Sequence, residues 1–253
     1  MLSPHYIGKH PSEDYLVEVQ RGNVSGQSII IKFGKNPDID PTTDPEYIWD
    51  VGGTYTFPTT ANTLRITSSG NDTAGGTGAR SITIQGLDSS YNEVSADVTL
   101  NGGVVTTTQT FLRVFRAFVK TAGSSEYNEN NIIIEHTGAG SPEVARITAE
   151  QGQTQMAIYT IPADKTAYLL SWSGAILKKA SGSAELEFWE RTSEGVRKLK
   201  SSIGINAGGT TAMDKKITAR PIAEKTDVFI VCKEVSDIDS AVFSNFTLLL
   251  IDN

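Results

Sequence analysis

The chain has 253 residues, which is long enough for one large β domain or two ordinary domains with separate cores. Thr, Ser and Gly dominate, whereas the helix-forming residues Leu, Glu, Lys and Ala are modest, so the composition predicts an all-β fold. The net charge is −7, and residues 1–150 carry the acidic excess, with 10 Lys and Arg against 17 Asp and Glu. This balance disfavours nucleic acid as a partner, because sequence-independent binding to phosphates requires a basic face.

Residues 1–45 contain five prolines and several glycines, and this pattern predicts an extended N-terminal arm. Two short strands are expected within the arm, at 15–19 and 28–33. The arm has too few apolar residues to form a core, so it would gain order by lying on another surface. The residues expected to contact a partner are therefore the alternating apolar ones of these two strands: Tyr15, Val17, Val19, Ile29, Ile31 and Phe33.

Residues 46–150 show short strand patterns between turn clusters, and this predicts a first β-sandwich-like domain. Apolar and polar residues alternate at 63–68, 81–85, 94–100 and 110–119, as in strands with one buried face. Glycine, asparagine and serine fill the stretches between them and are typical of hairpin turns. A further strand is expected at 132–136.

Residues 151–253 predict a second, jelly-roll-like β domain, with strands at 154–161, 166–177, 184–191, 196–201, 227–233 and 241–251. Residues 205–212 contain consecutive glycines and predict an exposed loop that faces outward. The single cysteine, Cys232, lies inside an apolar strand pattern and is expected to fill the core.

The chain carries no recognisable catalytic pattern, and we expect neither catalytic residues nor a cofactor. The three histidines, His5, His10 and His136, have no catalytic context, and no G-x-S-x-G nucleophile motif occurs. The glycine-rich run at 75–78 is followed by a strand pattern, so it lacks the helix that a phosphate cradle requires. The protein is therefore expected not to be an enzyme.

Two groups of acidic residues could carry chemistry, but each has a simpler interpretation. Glu185 and Glu187 precede Trp189 and could serve a glycosidase, yet their spacing favours the solvated face of a strand. The acidic residues of 36–44 are Asp38, Asp40 and Asp44, and turn formation is favoured over a structural cation because prolines interrupt them. We therefore expect no metal site.

The N-terminal residues have neither a basic region nor an apolar run, and no apolar stretch of transmembrane length occurs. The sequence thus predicts a protein that is synthesised in a cytoplasm and has no membrane partner.

Several short sequence phrases occur in a recognisable order along most of the chain. They are Arg21–Val24, Lys32–Gly34, Ile48–Asp50, Gly76–Arg80, Gly86–Asp88, Tyr91–Glu93, Thr99–Gly102, Gly152–Gln153, Ala157–Thr160, Pro162–Ala163, Lys165–Thr166 and Leu250–Asn253. In these phrases the chain resembles a group of structural proteins of tailed phages, notably phages of aquatic bacteria including cyanobacteria.

The resemblance implies a component of the virion, made in the host cytoplasm. Capsid cement, or decoration, is the preferred role, because an arm followed by two β units suits a protein that crosses neighbouring capsomers. The implied partners are the major capsid protein and copies of the chain itself, as a dimer or trimer. A tail adaptor, a head-fibre or tail-fibre component, and a receptor-binding or glycan-binding protein are the alternatives. For glycan binding the candidate stacking residues are Tyr168, Trp172, Phe188 and Trp189.

Overall fold

A computed structural model of the chain describes residues 14–43, 45–177, 182–206, 212–215 and 219–253. Antiparallel strands dominate these ranges and form four sheets, which confirms the all-β prediction. No helix within them is long and apolar enough to span a membrane. The elements are α1 (Tyr15–Gln20), β1 (Gln27–Ile39), β2 (Glu46–Tyr47), β3 (Leu64–Thr67), β4 (Ala79–Leu87), β5 (Glu93–Thr99), β6 (Val104–Thr106), β7 (Arg113–Ala122), β8 (Ile132–His136), β9 (Glu143–Ile147), β10 (Ile158–Thr160), β11 (Lys165–Ile176), β12 (Ser183–Arg191), β13 (Arg197–Asn206), β14 (Ala212–Lys215), β15 (Pro221–Ile222), β16 (Asp227–Val235) and β17 (Ser240–Asp252).

The first sheet joins the two ends of the described chain. Its strand order is β1-β17-β11-β14, with β15 also paired to β11. The pairing of β1 with β17 runs from Gln27 opposite Ile251 to Ile39 opposite Ser240. Residues 27–39 of the expected arm are therefore an edge strand of this sheet, held by backbone pairing and by the burial of Ile39. The division of the chain at residues 45 and 150 stays a prediction.

The second sheet packs against the first and closes one hydrophobic core. Its order is β10-β16-β12-β13, with β2 also paired to β16. Trp172 and Phe246 of the first sheet meet Phe188 of the second in this core, where their rings lie 5.6 to 6.0 Å from that of Phe188. Cys232 is buried in the same core, as expected from its strand pattern. Two packed sheets are present here, while the jelly-roll connectivity stays a prediction.

β16 separates two cores. Its residues alternate, so that Val228, Ile230 and Cys232 face the first sheet, whereas Phe229 and Val231 face the opposite way. That opposite side forms a second core with the third sheet, of order β6-β3-β8-β9, and the fourth sheet, of order β5-β4-β7. The first sheet therefore packs on one face of β16, and the third and fourth sheets pack on its other face.

Residues 15–20 form a helix, so the expectation of a strand at 15–19 is wrong. The Asp14 side chain accepts a hydrogen bond from the Leu16 backbone nitrogen at 2.9 Å and caps the helix start. Gly22, with φ of +74°, lies directly after the last turn in the left-handed conformation that ends many helices. These local hydrogen bonds override the alternating pattern of Tyr15–Val19.

The residues at both ends of the expected loop, 205–212, belong to strands. Ile205 and Asn206 are the last residues of β13, and Ala212 is the first residue of β14. Residues 207–211 of that prediction lie outside the described ranges.

Candidate assembly surface

The first sheet exposes an apolar face on the side away from the core. In β1, Ile31 is 62% exposed, and Ile29 and Phe33 are half-buried on the same side. Ile29 lies opposite Leu249, which in turn lies opposite Tyr168, so these three side chains form a row across three strands. The outer face contains the apolar residues Ile29, Ile31, Phe33, Tyr168, Phe243 and Leu249, with Thr247 opposite Ile31, Asn245 opposite Phe33 and Lys35 opposite Phe243.

Phe33 and Phe243 form an aromatic contact on this outer face. Their rings stack with centroids 6.4 Å apart and an interplanar angle of 27°, and both side chains remain half-buried. Apolar residues at such positions are unusual for a sheet face that meets water, which normally alternates to polar side chains. The outer face is therefore suited to contact with another protein.

Helix α1 adds further exposed apolar side chains next to the start of β1. Tyr15, Leu16 and Val17 are exposed, and the Tyr15 hydroxyl donates a hydrogen bond to the Gln27 side-chain oxygen. Val19 is 3% exposed and belongs to the interior. Of the six residues expected to contact a partner, five therefore present accessible surface. The sixth, Val19, is on the buried side of the helix.

A groove of about 370 Å³ runs along the unpaired edge of β1. Five consecutive β1 residues, 29–33, line the groove. Successive side chains of a strand point to opposite faces, so all five can line one groove only if the groove follows the edge of the strand. Phe115 and Arg116 of β7 form the opposite wall. Among the described strands β1 has one hydrogen-bonded neighbour, β17, so its other edge presents backbone groups toward the groove.

The groove is positively charged and contains an unsatisfied hydroxyl. Lys32 and Arg116 are its charged lining residues, and the buried Lys32 ammonium donates a hydrogen bond to the Phe115 carbonyl oxygen. Burial, with a smaller repulsion from Arg116, lowers the pKa of Lys32 to about 7. The buried Tyr159 hydroxyl has no hydrogen-bond partner in the described part of the chain. Arg116, which is exposed, is the charge that a docking strand can reach.

The acidic strand β12 is less exposed than its spacing predicts. Leu186 and Phe188 lie in the core, which confirms the expected alternation. Glu187, however, is 7% exposed and accepts a hydrogen bond from the Trp189 indole nitrogen at 2.9 Å. The expectation of a solvated face is therefore wrong for Glu187, whose side chain is held against Trp189.

Three carboxylates meet at the end of β1. The oxygens of Asp38, Asp40 and Asp239 lie within 4.8 Å of one another, and the Asp40 carboxylate accepts the Asp239 backbone N–H at 2.6 Å. The expected turn is also present, since the Thr43 backbone N–H donates to the Asp40 carbonyl oxygen at 3.0 Å. Asp44 lies outside the described ranges. Asp239 could not be found from sequence spacing, because it comes from the turn before β17.

His136 is a core residue with both ring nitrogens in hydrogen bonds. One ring nitrogen lies 3.2 Å from the Phe111 carbonyl oxygen, and the other accepts the Gly138 backbone N–H at 3.2 Å. Burial lowers the pKa of the imidazole, so the ring is neutral at pH 7. This arrangement holds the end of β8 in place. His5 and His10 lie outside the described ranges.

Comparisons with known proteins give no family. No family model matches the chain. No curated protein matches it either. Among solved structures, the chain is similar to the infectious bursal disease virus Gt strain structure, with 9% identity, a TM-score of 0.25, and coverage of 90% of this chain and 73% of that one.

The Gx strain of the same virus gives 9% identity and a TM-score of 0.25, with coverage of 94% of this chain and 77% of that one. The VP2 subviral particle of this virus gives 9% identity and a TM-score of 0.23, with coverage of 89% and 72%. TM-scores of this size do not indicate a shared fold.

Proposed function

We propose that the chain is a structural protein of a bacteriophage particle and, within that class, a capsid cement protein that binds the major capsid protein and copies of itself. The observation that carries the proposal is the apolar outer face of the first sheet, centred on Ile31, beside the unpaired edge of β1. The resemblance of the sequence to tailed-phage structural proteins supports the assignment to a virion.

The outer face can supply binding free energy without chemistry. Burial of an exposed isoleucine or phenylalanine side chain contributes about 1.5–3 kcal/mol, before the costs of association. Ile31, which is 62% exposed, can bury most of its surface in such a contact, and Ile29 and Phe33 can bury less. A shell repeats each contact at every equivalent position, so a modest contact per subunit stabilises the whole particle.

The unpaired edge of β1 adds directional contacts to this apolar surface. A strand from a neighbouring protein can pair with the edge through backbone hydrogen bonds, while the groove walls select its side chains. Lys32 and Arg116 favour a neighbour that brings carboxylates or backbone carbonyl oxygens. Two copies of the chain could also pair β1 with β1 across a twofold axis and continue the first sheet.

Copy number in purified particles tests the proposed role. Quantitative mass spectrometry of the intact phage would give the ratio of this chain to the major capsid protein. Cement proteins occupy the repeating positions of the shell, so the proposal predicts hundreds of copies. About six or twelve copies would move the protein to a tail ring or adaptor, and its absence from particles would reject a virion role.

The contact surface is best tested by substitution of single residues. Deletion of 1–33 would remove residues 27–33 of β1, which are paired with β17, so the truncated protein would lose part of the first sheet. A loss of attachment would then have two explanations. Substitution of Ile31 changes the outer face and the adjoining groove without removing a strand, because its side chain is exposed.

A further inference from the structure

A second concave site lies on the second sheet, separate from the outer face and its groove. It has a volume of about 350 Å³, near the lower end of small-molecule sites. Three aromatic residues, Tyr47, Trp189 and Phe229, form much of its lining, and Arg197, Lys233 and Glu187 supply the charges. We call this site the aromatic pocket.

Strand register explains how the pocket arises. Trp189 of β12 lies directly opposite Phe229 of β16, and Glu187 lies opposite Val231. Val231 in turn lies opposite Tyr47 of β2. Because directly opposed residues share one face of a sheet, these side chains converge on the same side. The Tyr47 and Phe229 rings stack with centroids 4.9 Å apart and are buried beneath the pocket.

The orientation of Trp189 is fixed by a specific hydrogen bond. Its indole nitrogen donates to the Glu187 carboxylate at 2.9 Å, and the ring remains partly exposed. The other two tryptophans of the chain, Trp49 and Trp172, are buried in the two cores. An exposed indole whose polar atom is already paired offers its flat face to a ligand.

Polar groups of the pocket are left for a ligand to satisfy. The Arg197 guanidinium lies 5.9 Å from the centre of the Phe229 ring and forms no salt bridge within the described part of the chain. The Tyr47 hydroxyl is buried and lacks a hydrogen-bond partner among the described residues. A buried polar group without a partner is uncommon in native proteins and requires an explanation.

We propose that the aromatic pocket binds an acidic sugar, with the apolar face of the sugar ring on Trp189 and its carboxylate on Arg197. The partly exposed face of the Trp189 indole matches the C–H face of a pyranose ring. The guanidinium fork matches a carboxylate through two parallel hydrogen bonds. Glu187 and Lys233 complete the lining, where Glu187 holds the Trp189 indole and Lys233 pairs with Glu185 at 3.3 Å. This site is independent of the outer face, so the protein can bind the particle and a saccharide together.

A matched pair of sugars tests the proposal on the full chain. Methyl β-glucuronide and methyl β-glucoside differ only in whether carbon 6 is a carboxylate or an alcohol. Fluorescence titration and saturation-transfer NMR report binding, and Trp189 is the partly exposed tryptophan that a sugar can quench. We expect the glucuronide to quench the fluorescence at millimolar concentrations, about tenfold more tightly than the glucoside.

Three variants identify the residues that produce the binding signal. R197Q should weaken the glucuronide about tenfold and leave the glucoside unchanged, because only the carboxylate contact is lost. W189A should abolish saturation transfer to both sugars. R220Q removes a similarly exposed arginine outside the pocket and should change neither affinity. Circular dichroism checks that each variant is folded, and the contrast between R197Q and R220Q tests the pocket if W189A unfolds.

Several outcomes would overturn the proposal. They are equal binding of the two sugars, glucuronide binding that R197Q does not change, saturation transfer that survives in folded W189A, and no transfer to either sugar. Failure here leaves the proposed virion role intact, because that role depends on the outer face and on copy number.

Discussion

The Arg113 guanidinium of β7 forms two hydrogen bonds with the Asp227 carboxylate of β16, at 2.8 and 3.1 Å. This buried pair links the fourth sheet to the second sheet, across 114 positions of sequence. Asp227 also accepts from Arg191 at 2.7 Å and from the Thr160 hydroxyl at 2.7 Å, so both of its oxygens are satisfied. The fourth and second sheets are therefore joined by an ionic cluster whose carboxylate is fully hydrogen-bonded. They also share the core that contains Phe229 and Val231 of β16.

Substitution of Asp227 by asparagine should destabilise the protein strongly. Asp227 is 1% exposed, and the change keeps its size but leaves the Arg113 and Arg191 charges without a counter-charge. Loss of one partner of a buried ion pair costs about 3–5 kcal/mol. Urea denaturation followed by circular dichroism would measure the change in the free energy of unfolding.

D97N is the matched control for this prediction. Asp97 pairs with Lys120 at 2.5 Å, but their side chains are 55% and 49% exposed. Such surface pairs contribute about 0–1 kcal/mol. Equal destabilisation by D97N and D227N would contradict the structural role assigned to the buried cluster.

Gly34→Ala should destabilise the first sheet. A Cβ atom at Gly34 would lie 2.3 Å from the Ile48 carbonyl oxygen and 2.4 Å from the Ala157 nitrogen, both backbone atoms that cannot rotate away. Overpacking of this kind costs about 1–3 kcal/mol or more. Thermal unfolding of G34A and of G204A would separate close packing from a general effect of alanine, because a Cβ atom at Gly204 meets nothing within 4 Å. An unchanged melting temperature in G34A would show that β1 does not lie against Ile48 and Ala157.

Asp50 should make stability depend on pH in the acidic range. Burial raises its pKa from 3.8 to about 7, although the Gln155 backbone N–H donates to its carboxylate at 3.0 Å. Between pH 3.8 and about 7 the folded state binds the proton more tightly than the unfolded state does. The stabilisation from this group is thus fully present below pH 3.8 and is lost as the pH rises through about 7.

Asp50→Asn should remove this component, so that the free energy of unfolding falls less between pH 4 and pH 7 than in the parent protein. Lys32, whose pKa is lowered to about 7, contributes with the opposite sign as the pH rises further toward 10.5. The difference between parent and variant isolates Asp50 from Lys32 and from other groups. Parallel pH profiles for the two proteins would contradict the raised pKa of Asp50.

Ile31→Lys should abolish attachment to particles without loss of folding. The side chain is 62% exposed, so the charge costs the free protein little but must be desolvated in an apolar contact. Phage assembled without the protein would be mixed with each variant, and bound protein counted after sedimentation. Ile238→Lys is the control, since Ile238 is 61% exposed on the turn before β17. Retained attachment of I31K, or equal loss with I238K, would reject the outer face as the contact.

Local patterns predicted most strands, because alternation of apolar and polar residues needs no knowledge of neighbours. β8 has the predicted bounds, Ile132–His136, and β17 extends the predicted 241–251 by one residue at each end. The pairing of β1 with β17 could not be predicted, since nothing in residues 27–39 specifies a partner that lies some 200 positions away. For that reason an edge strand was expected to be an arm.

The candidate sites show the same limit. The local strand pattern predicts that Ile29, Ile31 and Phe33 share one side of β1, whereas Tyr15 and Val17 are exposed on a helix that this pattern does not predict. The same pattern predicts a solvated Glu187, because it does not show that the Trp189 indole holds this carboxylate. Likewise the groove and the aromatic pocket are formed by residues from several strands, and only the three-dimensional pairing brings them together.

An electron cryo-microscopy map of the intact phage particle is the most direct test of the proposed cement role. A cement protein of this fold should give density at repeating positions on the head, with Ile31 and the edge of β1 turned toward a neighbouring protein. A position on the tail, or a head position in which the outer face points into solvent, would contradict it.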